Sequence, residues 1–501
     1  MLPRAPGSRS TSLDDEHAGA LLGPGEPAYE QARHVWNGAI DRRPALIARC
    51  SGTAQVVAAQ RLARRRGLEI SVRGGGHGVA GHAICDGGLV IDLSGMRSVS
   101  VDPRLRVAHA QGGALWGDVD ARTQAHGLAV TGGIVSHTGI GGLTLGGGIG
   151  WLMRRCASSA DNLLAAEVVT ADGALITADE REHGELLWAL RGGGGNFGVV
   201  TRFTYRLHPV GPLVLAGPLV YELADARDVL RFYRAFVRDA PDELTTVVSL
   251  RRAPQLPFLP VAAHGTPALI VGACYAGSLE EGERVLRELR AHGRPLADAI
   301  APRPYVELQS MNDATVPHGW HYHWRSHELA ELGDDAIDAL VAATAELTSP
   351  RSYCIVFQLG GALSRVDTDH AAFDRREPVY EVNINAVWLD GDPDPERHVR
   401  WTRDAFVAPE HHATGGVYLN FLDREPRARL RRALRPQTYE RLVAVKRAYD
   451  PDKRPPPQPQ HRAIIGSCPL PEGGPPGLTA AVASRFAEAA ATRARRTRSV
   501  H

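Results

Sequence analysis

The 501-residue chain lacks several features that would mark a specialised class. It has no charge excess: 57 Lys and Arg stand against 56 Asp and Glu, so no basic footprint for nucleic acid is present. No apolar run is long enough to span a bilayer, so no membrane partner is expected. The opening "MLPRAPGSRSTSLDDEHAGA" carries acidic residues and no apolar core, so a secretory leader is not expected and the cytoplasm is the expected compartment. Cysteine is scarce. Cys50, Cys85, Cys156, Cys274, Cys354 and Cys468 are scattered without CxxC spacing, which reads as reduced thiols and gives no metal site. The pattern GxxxxGK[ST] is missing, which disfavours a nucleoside triphosphatase. No clean GxGxxG fingerprint with an acidic residue about 20 positions on is present either.

Glycine is plentiful, with 53 residues, and its clusters carry the information. Three glycine loops fall in the first 200 residues: "SVRGGGHG" at 71–78, "HTGIGGLTLGGGIGW" at 137–151 and "LRGGGGNFG" at 190–198. A bare backbone can turn sharply and aim several N–H groups at one anion. Three such loops from different strands imply convergence on something large and anionic, such as a dinucleotide.

The chain reads as α+β. A polar arm is expected over 1–30. Residues 31–211 alternate short strands and helices around the glycine loops, with "DNLLAAEVVTADGALITA" as a hairpin turning at Asp172-Gly173. Residues 212–414 contain the β-type runs "TTVVSLRR", "ALIVGACYAG", "SYCIVFQLGG" and "VYEVNINAVWL", separated by helical patterns, which predicts an antiparallel sheet covered on one face by helices. In "YEVNINAVW", Glu381, Asn383 and Asn385 share one face and Val382, Ile384 and Ala386 the other, as in a sheet roofing a polar cavity. A solvated polar face is the alternative. Residues 415–452 read as a strand, "GGVYLNF", followed by a helix, "QTYERLVAVKRAYD". The histidine-rich "HGWHYHWRSHEL" has no HExxH spacing or acidic partner for a metal, and reads as loop and surface.

On these residues the chain resembles a known family. "VRGGGHGVAGHAICDGGLVIDLSGM" is similar to the flavin-attachment segment of the berberine-bridge-enzyme-like FAD-linked oxidases, in the vanillyl-alcohol-oxidase (p-cresol methylhydroxylase, PCMH-type) superfamily. "HTGIGGLTLGGGIGWLMRR", "DNLLAAEVVTADG", "LLWALRGGGGNFGVVTRF", "YLNF" and "TYERLVAVKRAYDPD" resemble further blocks of that family, in order, over about residues 35–452. The resemblance implies a PCMH-type FAD-binding domain at 31–211, split by a substrate domain at 212–414 and completed by the return segment 415–452. It implies FAD as cofactor, a small-molecule substrate, hydride removal from a C–H beside a hydroxyl or amine, and O2 as acceptor. A dehydrogenase using another acceptor is the enzymatic alternative.

The implied roles fall on particular residues. Arg73, Gly74, Gly75, Gly76, His77 and Gly78 would hold the FAD pyrophosphate, with Gly81 and His82 continuing the cradle. His77 stands where the family's histidine bonds the flavin. Thr138, Gly139, Gly142, Gly148, Asp161 and Asn162 would line the flavin on the second loop, and Gly195, Asn196, Gly198 and Val200 on the third. His137 is either a flavin contact or a satisfied loop histidine. Some members add a second link through a cysteine whose position falls at about Val135, so a single bond through His77 is implied. Tyr418 matches the family's active-site tyrosine and reads as either the base or a packed aromatic, with Asn420 as its orienting partner. Gln358, Asn383 and Asn385 would contact substrate from the roof.

One stretch departs from the family. After Lys453, "KRPPPQPQHR" replaces the expected "NLFRxNxNI"-like block, and its prolines cannot form the same structure. Read one base later, the codons for these ten residues are compatible with Asn-Val-Leu-Arg-His-Asn-His-Asn-Ile. The reading frame is therefore expected to shift near Lys453, leaving 453–501 a non-native tail and an inactive product as a further alternative. Resequencing the DNA across codon 453 should reveal a one-base discrepancy; an unambiguous in-frame read would overturn the idea.

Overall fold

The computed structural model describes residues 19–451, except 375, 378, 408–411 and 424–433. The tail 453–501, with Cys468 and the suspected frame change, lies outside the described residues.

The first sheet has the order Ala20–Leu22, Leu46–Arg49, Leu89–Asp92, Ile70–Arg73, and its last three strands run parallel. The helix Thr53–Arg66 makes the crossover that parallel pairing requires. It buries Val56, Ala59, Leu62 and Ala63, a helical spacing, against Leu89 and Ile91, and stops at Gly67, whose φ of 63° suits glycine. Two expectations are corrected at the start of the chain. Ala20–Leu22 is a strand and not part of a free arm, and the helix Tyr29–Arg33 buries Tyr29, whose hydroxyl donates to the Pro44 carbonyl at 2.7 Å.

The second sheet is antiparallel, in the order Val99–Asp102, Val107–Gln111, Val199–Arg206, Leu163–Val169, Leu175–Ala178. The predicted hairpin is its last pair. The helix Pro436–Tyr449 returns to this body from far along the chain. Leu442 and Val445 join the core with Leu186 and Leu190, Arg441 pairs with Glu185, and its guanidinium lies 3.8 Å from the centroid of the Trp188 ring.

The third sheet has eight antiparallel strands. Its main path runs Ala297–Asp298, Leu213–Glu222, Pro267–Tyr275, Leu244–Arg252, Tyr353–Gln358, Tyr380–Trp388, His321–Leu329, with Ala301–Pro304 also on the Leu213–Glu222 strand. One face carries Val248, Leu250, Cys354, Val356, Val382 and Ile384 into a core closed by the helices Ala226–Arg238, Leu279–Ala291, Asp334–Ala345 and Pro395–Val407. Each large apolar side chain buried there contributes about 1.5–3 kcal/mol. The other face meets the glycine-loop body, with Val247 and Phe357 packing against Ile149 and Trp151. Arg154 rivets the two bodies: its guanidinium donates to the carbonyls of Leu244 at 2.8 Å, Ala240 at 3.0 Å and Leu359 at 3.4 Å. This is an α+β architecture in which a helix-covered antiparallel sheet packs on the glycine-loop body.

Two further corrections concern local structure. "YLNF" is not a strand: Leu419–Phe421 forms a 3₁₀ turn. The histidine-rich stretch is not surface loop, because His321–Leu329 is a mostly buried edge strand paired with Tyr380–Trp388. Its alternation of Tyr322, Trp324 and Ser326 with His323, Arg325 and His327 was present in the sequence but masked by the density of histidines.

The seam between the bodies contains an ionisable group. Asp120, on the helix Trp116–Gln124, accepts from the Gln309 amide at 3.0 Å and is otherwise enclosed, so burial pushes its carboxyl up to about 7. The folded state therefore holds a proton that the unfolded chain releases near pH 4, and stability falls as pH rises from about 4 to about 7. Asp120→Asn should flatten this dependence and raise the melting temperature at pH 8, by at most about 4 kcal/mol of stability; a pH series of thermal melts checks it.

Candidate functional site

The first and second glycine loops meet at one point. A Cβ on Gly75 would sit 2.5 Å from the Gly139 nitrogen, and one on Gly139 would sit 2.4 Å from the Gly75 nitrogen. Neither position has room for a side chain, and the contact brings His77 beside His137. Gly74 likewise faces the Gly112 carbonyl, at 3.1 Å from its would-be Cβ, and Gly112 itself lies against the Val200 carbonyl of the third region. Gly76 and Gly81 have φ of 65° and 70°. Among the described residues, the amides of Gly75, Gly76, His77 and Gly78 donate to no protein acceptor. Adjacent unspent N–H groups form the kind of cradle that takes an anion.

His77 is half-buried at the end of this cradle. Its ring stacks on Trp36 with centroids 4.3 Å apart, and Trp36 stacks in turn on Tyr322 at 3.7 Å. His137 lies 5.0 Å from His77, and His318 lies 5.1 Å from His137. Burial, with His137 and His318 adding to it, holds the His77 imidazole well below the usual histidine range, so the ring is neutral at pH 7. His77 Nε2 and both ring nitrogens of His137 are buried without a hydrogen-bond partner.

The second loop carries Tyr418 and Asn420 against it. The Tyr418 oxygen accepts from the Gly148 amide at 2.8 Å, the Ile149 amide at 3.2 Å and the Asn420 side chain at 2.8 Å. Asn420 also donates to the Leu143 carbonyl at 2.9 Å and fills the space a Cβ on Gly146 would need. The three donors favour a phenolate, but burial outweighs them and pushes the phenol up to about 12. Gly148, with φ of 88°, packs on Ser159. Thr138 donates its amide to the Val135 carbonyl and accepts from that of Trp116, and the space beside Gly142 is open.

The roof comes from the third sheet. Three rows cross its loop-facing side: Arg251, Tyr353, Asn385, Trp324; then Ser249, Ile355, Asn383, Ser326; then Val247, Phe357, Glu381, Glu328. Asn383, Asn385 and Glu381 are 1–2% exposed, so this polar face is enclosed and not solvated. Asn385 donates to the Asn383 carbonyl at 2.8 Å, and Asn383 Oδ1 has no partner. A cavity under the third row is lined by Ile149, Gly192, Phe373, Tyr418, Glu328 and Glu381.

Several expected contacts are corrected. Gln358 has the parity of Cys354 and Val356 and pairs with Tyr380, so it belongs to the helix-covered face and not to the roof. Asp161 forms a two-pronged ion pair with Arg376, at 2.8 and 2.7 Å, and accepts from Ser158. Asn162 spends its amide on the Cys156 and Ser158 carbonyls and meets His208 at 2.6 Å. Both side chains brace the second loop from behind instead of facing a ligand. His82 and Gly195 are exposed, Asn196 offers its carbonyl to Lys446, and the Val200 side chain belongs to the core. Gly198 adopts φ of 148° against the strand Leu163–Val169. Trp36 carried no sequence signal, and His318, Tyr322 and Trp324 lay in the histidine-rich run that read as surface.

Comparison with known proteins fits this geometry. A family model described as an FAD binding domain matches residues 44–179. An FAD-linked oxidoreductase of Dictyostelium discoideum is 31% identical over 439 residues, covering 86% of this chain and 92% of the relative. The chain belongs to the FAD-linked oxidoreductases. It is also 32% identical to (R)-6-hydroxynicotine oxidase of Paenarthrobacter nicotinovorans over 454 residues, 87% of this chain and 95% of that one. The crystal structure of 6-hydroxy-D-nicotine oxidase from Arthrobacter nicotinovorans superposes with a TM-score of 0.79 at 29% identity, covering 87% and 95% of the two chains. BBE-like 1 of Physcomitrella patens, 22% identical, covers 88% and 97% with a TM-score of 0.78 and shares the fold. The protein is thus an enzyme that binds FAD, and the unspent loop amides and crowded glycines suit that cofactor.

The Gly75–Gly139 contact leaves no room for a side chain on either residue. Gly75→Ala forces a methyl group into the Gly139 backbone, and overpacking of this kind costs about 1–3 kcal/mol. Thermal melts should fall accordingly, with lower flavin content per mole of purified protein.

Proposed function

We propose that this FAD-linked enzyme is an oxidase acting on a carbon beside a hydroxyl or amine, with its flavin held by one covalent bond through His77 and O2 as the electron acceptor. The observation that carries the reading is the state of His77: neutral, with its Nε2 enclosed and unspent, at the end of a loop with four unspent amides. A neutral imidazole nitrogen has the lone pair that bonding to a carbon requires. Trp36 holds the ring from its face and fixes its orientation. A single link follows from the cysteines: Val135 occupies the position of the second attachment, and burial pushes the Cys156 thiol up to about 12, which keeps it unreactive.

When bound, FAD supplies the hydride acceptor. The chain's own residues supply the rest. The amides of residues 75–78 would take the pyrophosphate. Tyr418, held by three donors, points a fixed phenol at the cavity beneath the roof. At neutral pH it is protonated, so it serves substrate as a hydrogen-bond donor. Glu381, lining the same cavity with its carboxylate 3.4 Å from the Tyr418 amide, is the group placed to take the substrate's proton. The apolar walls of Ile149 and Phe373 limit the water there. The neighbour named for 6-hydroxynicotine oxidation supports the oxidase reading over a dehydrogenase.

Acid precipitation tests the attachment. Purified wild-type protein should keep a yellow, fluorescent flavin in the washed pellet, and His77→Ala should release it to the supernatant. Substrate turnover in air should release hydrogen peroxide. Wild-type flavin that washes free overturns the covalent link, and turnover that consumes no oxygen overturns the oxidase assignment.

A further inference from the structure

Three histidines gather at the end of the first glycine loop, and the proposed attachment uses only His77. Between ring centroids, His137 stands 5.0 Å from His77, His318 stands 5.1 Å from His137, and His318 lies 6.3 Å from His77. The series runs from the interior outward. His77 Nε2 and both ring nitrogens of His137 are enclosed, and His318 is exposed. Among the described histidines, His137 is the one with both nitrogens enclosed and a partner for neither. A ring in that state is not a satisfied loop histidine, and enclosed polar atoms without partners call for an explanation.

The cluster is held from several sides. The segment 312–319 straps the entry to the second loop. Asn312 donates to the Ile134 carbonyl at 3.1 Å, and Asp313 accepts from the amide of Ser136, the residue before His137, at 2.9 Å. The same segment is tied to the far wall: the Trp36 indole donates to the Val316 carbonyl at 2.9 Å, and the Gly319 amide donates to the Trp36 carbonyl at 2.9 Å. The strap thus sets His318 against His137 while Trp36 sets His77.

Bonding His77 to a methyl carbon of the flavin requires that carbon to lose a proton. A neutral imidazole has one lone pair to give, and His77 spends it on the new bond. A carbon brought up to His77 comes up beside His137, whose ring, when neutral, offers a second lone pair. We propose that His137 is the base of the attachment step and that His318 is its outlet, handing the proton on to water. The inference rests on the covalent reading of His77. The step balances. A His77 nitrogen forms the N–C bond, the methyl C–H bond breaks, its proton goes to His137, and its electron pair reduces the flavin ring. O2 takes that electron pair back and leaves as H2O2 with two protons, one equivalent to the methyl proton and one from the His77 N–H. One peroxide therefore forms for each flavin attached.

Timed acid precipitation of the full-length chain tests it. Protein made in riboflavin-starved cells is mixed with saturating FAD in air, and the flavin kept in the washed pellet is followed. Saturation separates attachment from binding. His137→Ala should attach flavin about 100-fold or more slowly than wild type, as loss of a general base requires, while unattached flavin still co-elutes with the protein on gel filtration. Imidazole in the buffer should restore part of the rate, because truncation opens a ring-sized space beside the exposed His318. His318→Asn should slow attachment severalfold. A wild-type rate in His137→Ala, a slow rate that imidazole does not move, or an unchanged rate in His318→Asn would each overturn the proposal. His318 is exposed, so its variant keeps the test open even if His137→Ala folds poorly. Wild-type flavin that acid releases would reject the covalent reading and this proposal with it; attachment in wild type and in His137→Ala alike would reject the relay alone.

Discussion

The approach of Gly75 to Gly139 is the contact on which the rest of the site hangs. One loop follows a strand of the parallel sheet, and the other belongs to the antiparallel body. With two bare Cα positions facing each other, the loops come within van der Waals reach through backbone alone. That closeness leaves a row of amides unspent, places His77 next to His137 and lets Trp36 seal the histidine from the far side. A larger residue at either point would part the loops and scatter all three features together.

The roof imposes a second order. Because side chains alternate across a strand, one sheet can bury leucines and valines under helices while presenting arginine, amides and carboxylates inward. Those inward groups are not evenly mixed. Arg251 shares its row with two aromatics and Asn385, the centre row is the uncharged Ser249, Ile355, Asn383 and Ser326, and the two glutamates occupy the row above Tyr418. A ligand beneath this sheet therefore meets a gradient of charge, and its orientation follows from its own polarity.

The sequence made some of this legible and hid the rest for physical reasons. Alternation in "YEVNINAVW" exposed the two faces of that strand because polar and apolar residues strictly exchange. In "SYCIVFQ" they do not, so the side on which Gln358 lies was invisible until its neighbours were placed. Tyr418 and Asn420 do touch, but through a 3₁₀ turn and not along a strand. Asp161 looked like a ligand because its partner, Arg376, is 215 residues away. Trp36 gave no local signal because its meaning comes only from packing across most of the chain, and the alternation around Tyr322 was masked by the histidines beside it. Motifs made of contiguous glycines were readable; constellations assembled from distant segments were not.

That same distance has a temporal side. Gly148 is 270 residues from the Tyr418 hydroxyl that caps it, and Trp36 is 280 residues from the Val316 carbonyl its indole binds. At about 5–20 residues per second, a ribosome finishes Tyr418 about 15–50 s after Gly148. Throughout that interval the glycine loops can exist while their cover does not. The order of synthesis thus leaves the cradle open to a large ligand first and adds the cover last, so cofactor entry can precede closure on the nascent chain itself.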